Sequence, residues 1–286
     1  MKHSGIKMVI VFCIIYLAWI SVTMASGAVS VFVSIVPQKY FVEKIGGDLV
    51  EVSVMVKPGA SPVSYEPTPK QMAALSKTRI YFAIGVPFER IWLEKITSSN
   101  ARMRCVHTER GIEKIPMKFN QPQGIKDPHI WLSPPLVMIQ ARNILSGMVA
   151  VDPTHRTVYE ANYKKFIMEL VDLDAEIRGV FAGKEKGLEF VVFHPAWGYF
   201  ATAYGLKQVP VEIEGKDPKP ADLQRLIQHA KKRGIKVVFV QPQFSSKSAK
   251  VVADAIGGQI VFVNPLALDW SDNLRQVAAK FKAALR

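Results

Sequence analysis

The sequence predicts an α/β protein of two parallel-sheet lobes joined by one long rigid helix. Three observations predict it. Short β-rich runs alternate with amphipathic helical segments through most of the chain, the pattern of parallel sheets covered on both faces. One periodic stretch near the middle far exceeds an ordinary helix. That stretch also separates two series of the same alternation, over 29–150 and 186–286.

The elements follow in order. Residues 1–28 have the three parts of a secretory signal: Lys2 and Lys7, the unbroken apolar run "MVIVFCIIYLAWI", then small residues with Ser26 and Ala28 at cleavage-site spacing. The mature chain is expected to begin near Val29 and to be exported; an uncleaved N-terminal anchor is the alternative. "VSVFVSIVP" reads as a strand, "QKYFVEKIGG" as a short helix stopped by glycines, and "VEVSVMV" as a second strand.

Then comes "KPGASPVSYEPTP" (57–69), with four prolines. Proline fixes φ and removes a donor, so this segment is a stiff loop and neither a helix nor an inner strand. It leaves the end of a predicted strand, the place where parallel sheets gather ligands. "PKQMAALSK", "RIYFAIG", "PFERIWLEKI" and "RMRCVHT" continue as helix, strand, helix and strand; 111–127 is loop and 134–150 a helix.

In the middle, Tyr159, Tyr163, Phe166, Leu170, Leu173, Ile177 and Val180 recur at spacings of four and three. Asp152 suits an N-cap, Pro153 the first helical position and Gly183 the stop. A helix over 153–182 would run roughly 45 Å, enough to link the lobes across 151–185. "LEFVVFHP", "KQVPVEI", "IKVVFVQP" and "QIVFVN" are then strands separated by helices, and a helix closes the chain.

Composition narrows function without naming it. The formal charge of +13, or +11 without the two signal lysines, is spread along the chain with no long basic run. A soluble basic exported protein fits this better than a nucleic-acid binder. Only Cys105 remains after signal removal, so no internal disulfide can form.

Two histidines invite a metal reading: His129 in "DPHIWLSP" and His194 in "VVFHPAWGYF". Each stands next to a proline at an expected strand–loop boundary, and each belongs to a different lobe. Neutral imidazole is the commonest metal ligand, and an interlobe cleft is a natural meeting place. A hydrogen-bonded structural histidine is the plainer alternative at either position. His155 and His229 fall on predicted helices among charged neighbours and read as solvated, and His107 has no evident companion.

"GASPVSYEPTPKQM", "DPHIWLSP", "VFHPAWGYFATAYGL", "VFVQPQFSSKSAKVVADAIGG" and "VNPLALDWSDNL" together resemble the zinc- and manganese-capturing substrate-binding proteins of ABC transporters. The likeness runs in order through nearly the whole mature chain. It implies a monomeric periplasmic protein that carries a divalent metal, zinc first and manganese second, to a membrane permease. It also implies a metal-binding solute-binding-protein fold with limited hinge closure, and no catalysis.

The resemblance carries over to His129 and His194 as metal ligands. It also marks two departures. Where the family loop presents a histidine, this chain has Val63, and where an aspartate is common in "DPL" it has Asn264. Valine cannot coordinate a metal, and zinc sites normally have at least three protein ligands. Glu66, on the same loop, or the Asn264 oxygen would complete a modified site, with Asp269 a more remote candidate. The alternative is a divergent relative with weak or no metal binding, acting as an adhesin or transporter accessory. The histidine- and acid-rich loop frequent in zinc-type members is absent before His129.

An exported metalloenzyme is the competing class. However, the chain holds no H-E-x-x-H, no G-x-S-x-G and no complete phosphate-binding glycine loop; "GVFAGKE" only approaches the last. It is expected not to be an enzyme.

Overall fold

A computed structural model describes residues 27–117, 126–212, 218–244 and 247–285. The expected signal segment lies almost wholly outside the described residues. Among these residues no helix is long and apolar enough to cross a membrane.

Two four-stranded parallel sheets form the frame. In the first, β1 (Val29–Val33), β2 (Val50–Val54), β3 (Ile80–Ala83) and β4 (Arg104–His107) lie in the order β2-β1-β3-β4. In the second, β5 (Leu188–Val192), β6 (Leu206–Pro210), β7 (Val237–Val240) and β8 (Gln259–Phe262) lie in the order β6-β5-β7-β8. The two orders are the same. In each lobe the chain winds one way from the first strand, then crosses back to pair on its other side. The crevice beyond that strand is therefore a topological switch point, where open parallel sheets bind ligands.

Central strands are apolar on both faces because helices cover both: β3 is buried throughout, and so are Val31, Phe32 and Val33 of β1. The N-terminal lobe's helices are α1 (Val36–Gly46), α2 (Pro69–Ala74), α3 (Glu89–Ser98) and α4 (Pro134–Val151). The proline-rich loop is anchored at both ends. Thr68 caps α2 reciprocally with Gln71, and Gln71 Nε2 donates to the Met55 carbonyl at 2.6 Å. The Phe88 amide donates to the Pro62 carbonyl at 3.1 Å, which ties the loop's crest to the start of α3.

The long helix is present, with a different start. Residues Pro153–His155 form one 3₁₀ turn, and α5 proper runs Arg156–Phe181. Asp152 does not cap through its side chain. Its carboxylate accepts from Tyr159 Oη at 2.6 Å and pairs with His155 Nδ1 at 2.7 Å, and that engagement leaves the first turn to tighten. Of the periodic positions, Tyr159, Phe166, Leu170, Leu173 and Ile177 are buried.

The C-terminal lobe adds α6 (Gly198–Ala203), α7 (Pro220–Lys232), α8 (Lys247–Ala255) and α9 (Trp270–Ala284). Behind the cleft α1, α5 and α9 meet. Phe41 and Trp270 pack edge to face at 5.0 Å, Phe41 and Phe166 lie 6.0 Å apart, and Tyr40 Oη donates to Ser271 Oγ at 3.1 Å. One continuous apolar core runs from the first sheet through α5 into the second. Cys105, half-buried in β4, has its thiol pushed up to about 11 by burial and by Glu89 and Glu109, so it is an inert packing group.

Candidate metal centre

His194 follows β5 by two residues and Gln241 follows β7 by one, so the pair straddles the switch point of the C-terminal sheet. Gln241 clamps the histidine's backbone with two bonds. Its Oε1 accepts from the His194 amide at 3.1 Å and its Nε2 donates to the His194 carbonyl at 2.8 Å. Phe244 stacks on the imidazole at 4.4 Å and 21°. Glu212, just past β6 and buried, accepts from His194 Nδ1 at 3.0 Å.

His129 arrives from the other lobe. It does not stand at a strand end, as its proline neighbours suggested. An isolated antiparallel bridge, Pro116 to Lys126, precedes it, and a 3₁₀ turn, Ile130–Leu132, follows. Asp127 Oδ1 accepts from both the His129 amide at 2.9 Å and Nδ1 at 2.7 Å, so ring and main chain share one oxygen. Trp131 lies 5.1 Å from the imidazole, and its Nε1 donates to the Pro265 carbonyl of the C-terminal lobe at 2.7 Å.

The two histidines meet nose to nose. Nε2 of His129 and Nε2 of His194 are 3.3 Å apart, and both side chains are buried. Each Nδ1 faces a carboxylate, which can only accept, so each Nδ1 carries the proton and each Nε2 presents a bare lone pair. Two lone pairs pointed at each other across 3.3 Å repel unless a proton or a metal cation lies between them. Zn–N bonds of ~2.05 Å at a tetrahedral angle place two nitrogens about 3.3 Å apart. Burial, opposed by the Glu212 hydrogen bond and reinforced by neighbouring His129, holds His194 below its ordinary pKa and favours the neutral, ligating form.

The other expected residues lie elsewhere. Val63 is 48% exposed at the loop's crest, and Glu66 is exposed on the same loop. The Asn264 side-chain oxygen accepts from Gln243 Nε2 at 2.9 Å and from the Leu266 amide at 3.0 Å. Asp269 is exposed beside the start of α9. Among the described residues, no three His, Cys, Asp or Glu side chains converge as a ready-made cage. His155 and His229 are not simply solvated: the first pairs with Asp152, the second with half-buried Glu189.

Asp127, Glu212, Gln241 and Phe244 escape a reading by motif alone. Asp127 had one signal, its position two residues before His129 in "DPH". Glu212 had another, as an acid just beyond an apolar strand end in a lobe already holding His194.

Over residues 31–284 the chain matches the ZnuA family, described as zinc-uptake complex component A, periplasmic. The chain belongs to this family. It is 31% identical to the high-affinity zinc uptake system protein ZnuA of Bacillus subtilis, over 80% of this chain and 76% of the relative. It is 29% identical to the iron-binding protein YfeA of Yersinia pestis, covering 79% and 74%. Its fold superposes on a crystal structure of a ZnuA with a TM-score of 0.86 and 44% identity, covering 90% of this chain and 99% of that one. A 138–173 deletion mutant of ZnuA, with zinc bound, matches equally well, at a TM-score of 0.86. Family membership thus places it among the transport-type solute-binding proteins.

Proposed function

We propose that this chain is exported, captures a zinc ion between the lobes and delivers it to an ABC permease. The observation that carries this reading is the 3.3 Å separation of two opposed, buried Nε2 atoms, which equals the ligand spacing of tetrahedral zinc. In this reading the cargo is held first by His129 and His194. Glu66 or Asn264 supplies a further ligand. The Asn264 oxygen already accepts two hydrogen bonds, so Glu66, an exposed carboxylate on the stiff loop, is the better donor. The lobes divide at 29–150 and 186–286 around the helix, and the protein works as a monomer that catalyses nothing.

Zinc is preferred over manganese for a chemical reason. Asp127 and Glu212 are engaged with imidazole Nδ1 atoms, so the two ligands that face each other are both nitrogens. Manganese favours carboxylate and water oxygens and stands lowest in the divalent affinity order, whereas imidazole suits zinc.

A second reading rests on Val63. An exposed valine at the crest of a loop so well anchored suggests a surface kept for protein contact, as in an adhesin or transporter accessory. Calorimetric titration of the metal-stripped protein with zinc, then manganese, beside Val63→His, separates the two. Tight one-to-one zinc binding by the natural chain supports capture with a substitute ligand. Binding only by Val63→His means an intact scaffold that valine has disabled. Failure of both leaves the interaction protein standing.

A further inference from the structure

The His129 side of the centre is built across the lobe boundary. Asp127 belongs to the N-terminal lobe, yet its seat is the first turn of α6 in the C-terminal lobe. Tyr199 Oη donates to the Asp127 carbonyl at 2.9 Å and accepts from the Ile115 amide at 3.0 Å, so one hydroxyl pins two points of the loop carrying His129. Beside it, Gly198 leaves room for the carboxylate. A methyl group there would stand 2.9 Å from Asp127 Oδ2, closer than a carbon and an oxygen normally approach. On its other flank it would meet Gln208 Nε2 at 3.1 Å. Gln208 is held by bonds to the Trp197 amide at 3.0 Å and the Pro195 carbonyl at 3.3 Å, and the closer Asp127 carboxylate can move aside only by straining its bonds to His129.

We propose that Asp127 is a positioning residue through which contact between the lobes sets His129 for its cation, with Gly198 as the gap that lets it sit. While α6 is seated, Asp127 Oδ1 holds the Nδ1 proton and the bare Nε2 points at His194. When the lobes part, the seat is withdrawn, the Nδ1 bond loosens, and the imidazole is free to rotate or to carry its proton on Nε2. A histidine with a proton on Nε2 cannot ligate through that atom. Capture and release are then linked to lobe contact by one hydrogen bond at the ligand itself, and the long helix need not bend. This inference rests on the metal-capture reading for its purpose but not for its geometry.

The test uses the metal-stripped protein with zinc as the probe, in natural form and as Asp127→Asn, Gly198→Ala, the pair of changes together, and Thr202→Val. The last lies on the exposed side of α6 and controls for disturbance of that helix. Two quantities are read: zinc affinity by chelator competition, and the tautomer of His129 by ¹⁵N NMR of the metal-free imidazole. The natural chain should show His129 protonated on Nδ1. Asp127→Asn and Gly198→Ala should each shift it toward the Nε2–H form and weaken zinc about 10–100-fold, the usual cost of losing a partner behind a ligand. The double change should cost little more than the worse single one, because both act through the same carboxylate. Thr202→Val should leave both readings alone.

If Gly198→Ala keeps the natural tautomer and the natural affinity, the inference is overturned and zinc capture survives. If zinc fails to bind the natural chain, the capture reading fails, and the tautomer shift alone then decides whether Asp127 positions His129. A variant that melts far below the natural protein is replaced by Tyr199→Phe. That change removes the pin without adding an atom and should move the tautomer in the same direction; an unmoved tautomer overturns the proposal.

Discussion

The two lobes share one strand order but use their switch-point crevices in opposite ways. In the N-terminal lobe, the crevice beyond β1 and β3 is filled by a buried glutamine. Gln38 Oε1 accepts from the Ser34 and Ile35 amides at 3.0 and 3.3 Å, and its Nε2 donates to the Phe82 carbonyl at 3.2 Å and to Thr108 Oγ1 at 3.2 Å. In the C-terminal lobe a glutamine also sits at the opening, but Gln241 follows β7, the counterpart of β3, and it binds the backbone of a histidine after β5 instead. One crevice is sealed by its own chain; the other carries the residue facing the cleft. The same parallel-sheet opening is therefore either structural or functional, according to which side chain follows the central strand.

That contrast can be broken by mutation. His194→Ala should abolish measurable zinc binding, a loss of at least about 100-fold, since a directly bonded ligand matters more than its supports; calorimetry reads it. A retained one-to-one isotherm would mean that His194 is not a ligand. Phe166→Ala, at the junction behind both lobes, should cost about 3–5 kcal/mol by denaturant titration and should cost it in one transition if the continuous core is real. Two separate transitions would mean that the lobes melt independently.

Gln38→Ala should disturb only the sealed crevice. It takes from the buried Ile35 amide its bond to Gln38 and weakens the pairing of the Ser34 amide and the Phe82 carbonyl, at about 1–3 kcal/mol for an unpaired group, so stability should fall while zinc affinity holds. Gln241→Ala should lower both.

The smallest effect concerns Glu89, which is buried behind the N-terminal crevice. Its carboxylate accepts from the Gly85 amide at 2.7 Å and the Ile84 amide at 3.0 Å. Burial nonetheless outweighs these bonds and raises its pKa from the usual 4.5 to about 7. The unfolded chain gives up this proton more easily, so Glu89 makes stability fall as pH rises from about 4.5 to about 7. Glu89→Gln should flatten that slope, measured as melting temperature against pH in metal-free protein. An unchanged slope would assign it to other groups.

Much of this fold was legible in the sequence because parallel strands buried on both faces leave dense apolar runs, as "IYFA" and "VVFV" do. The long helix was legible for a similar reason, from Phe166, Leu170, Leu173 and Ile177 at helical spacing. Its start was not, because Asp152 could bond either its own helix or a distant tyrosine, and only packing decided for Tyr159. At the centre, His129 and His194 could be named from their motifs. Their approach to 3.3 Å could not, since it depends on two lobes docking. Asp127 and Glu212 lacked a periodic signal altogether: a carboxylate behind a histidine is defined by direction in space and has no fixed spacing along the chain.

The Trp131 ring, 5.1 Å from His129, has a practical reach beyond packing. Its N–H is bound to Pro265, next to Asn264, while Trp270 Nε1 donates to its carbonyl at 2.8 Å. Indole emission is sensitive to charge and hydrogen bonding around the ring, so Trp131 should add a metal-dependent component to the emission that Trp92, Trp197 and Trp270 share. Zinc, with its filled d shell and no redox chemistry, should shift the emission without extinguishing it. A paramagnetic ion in the same place should quench it, so an emission titration with zinc beside manganese should read the two differently.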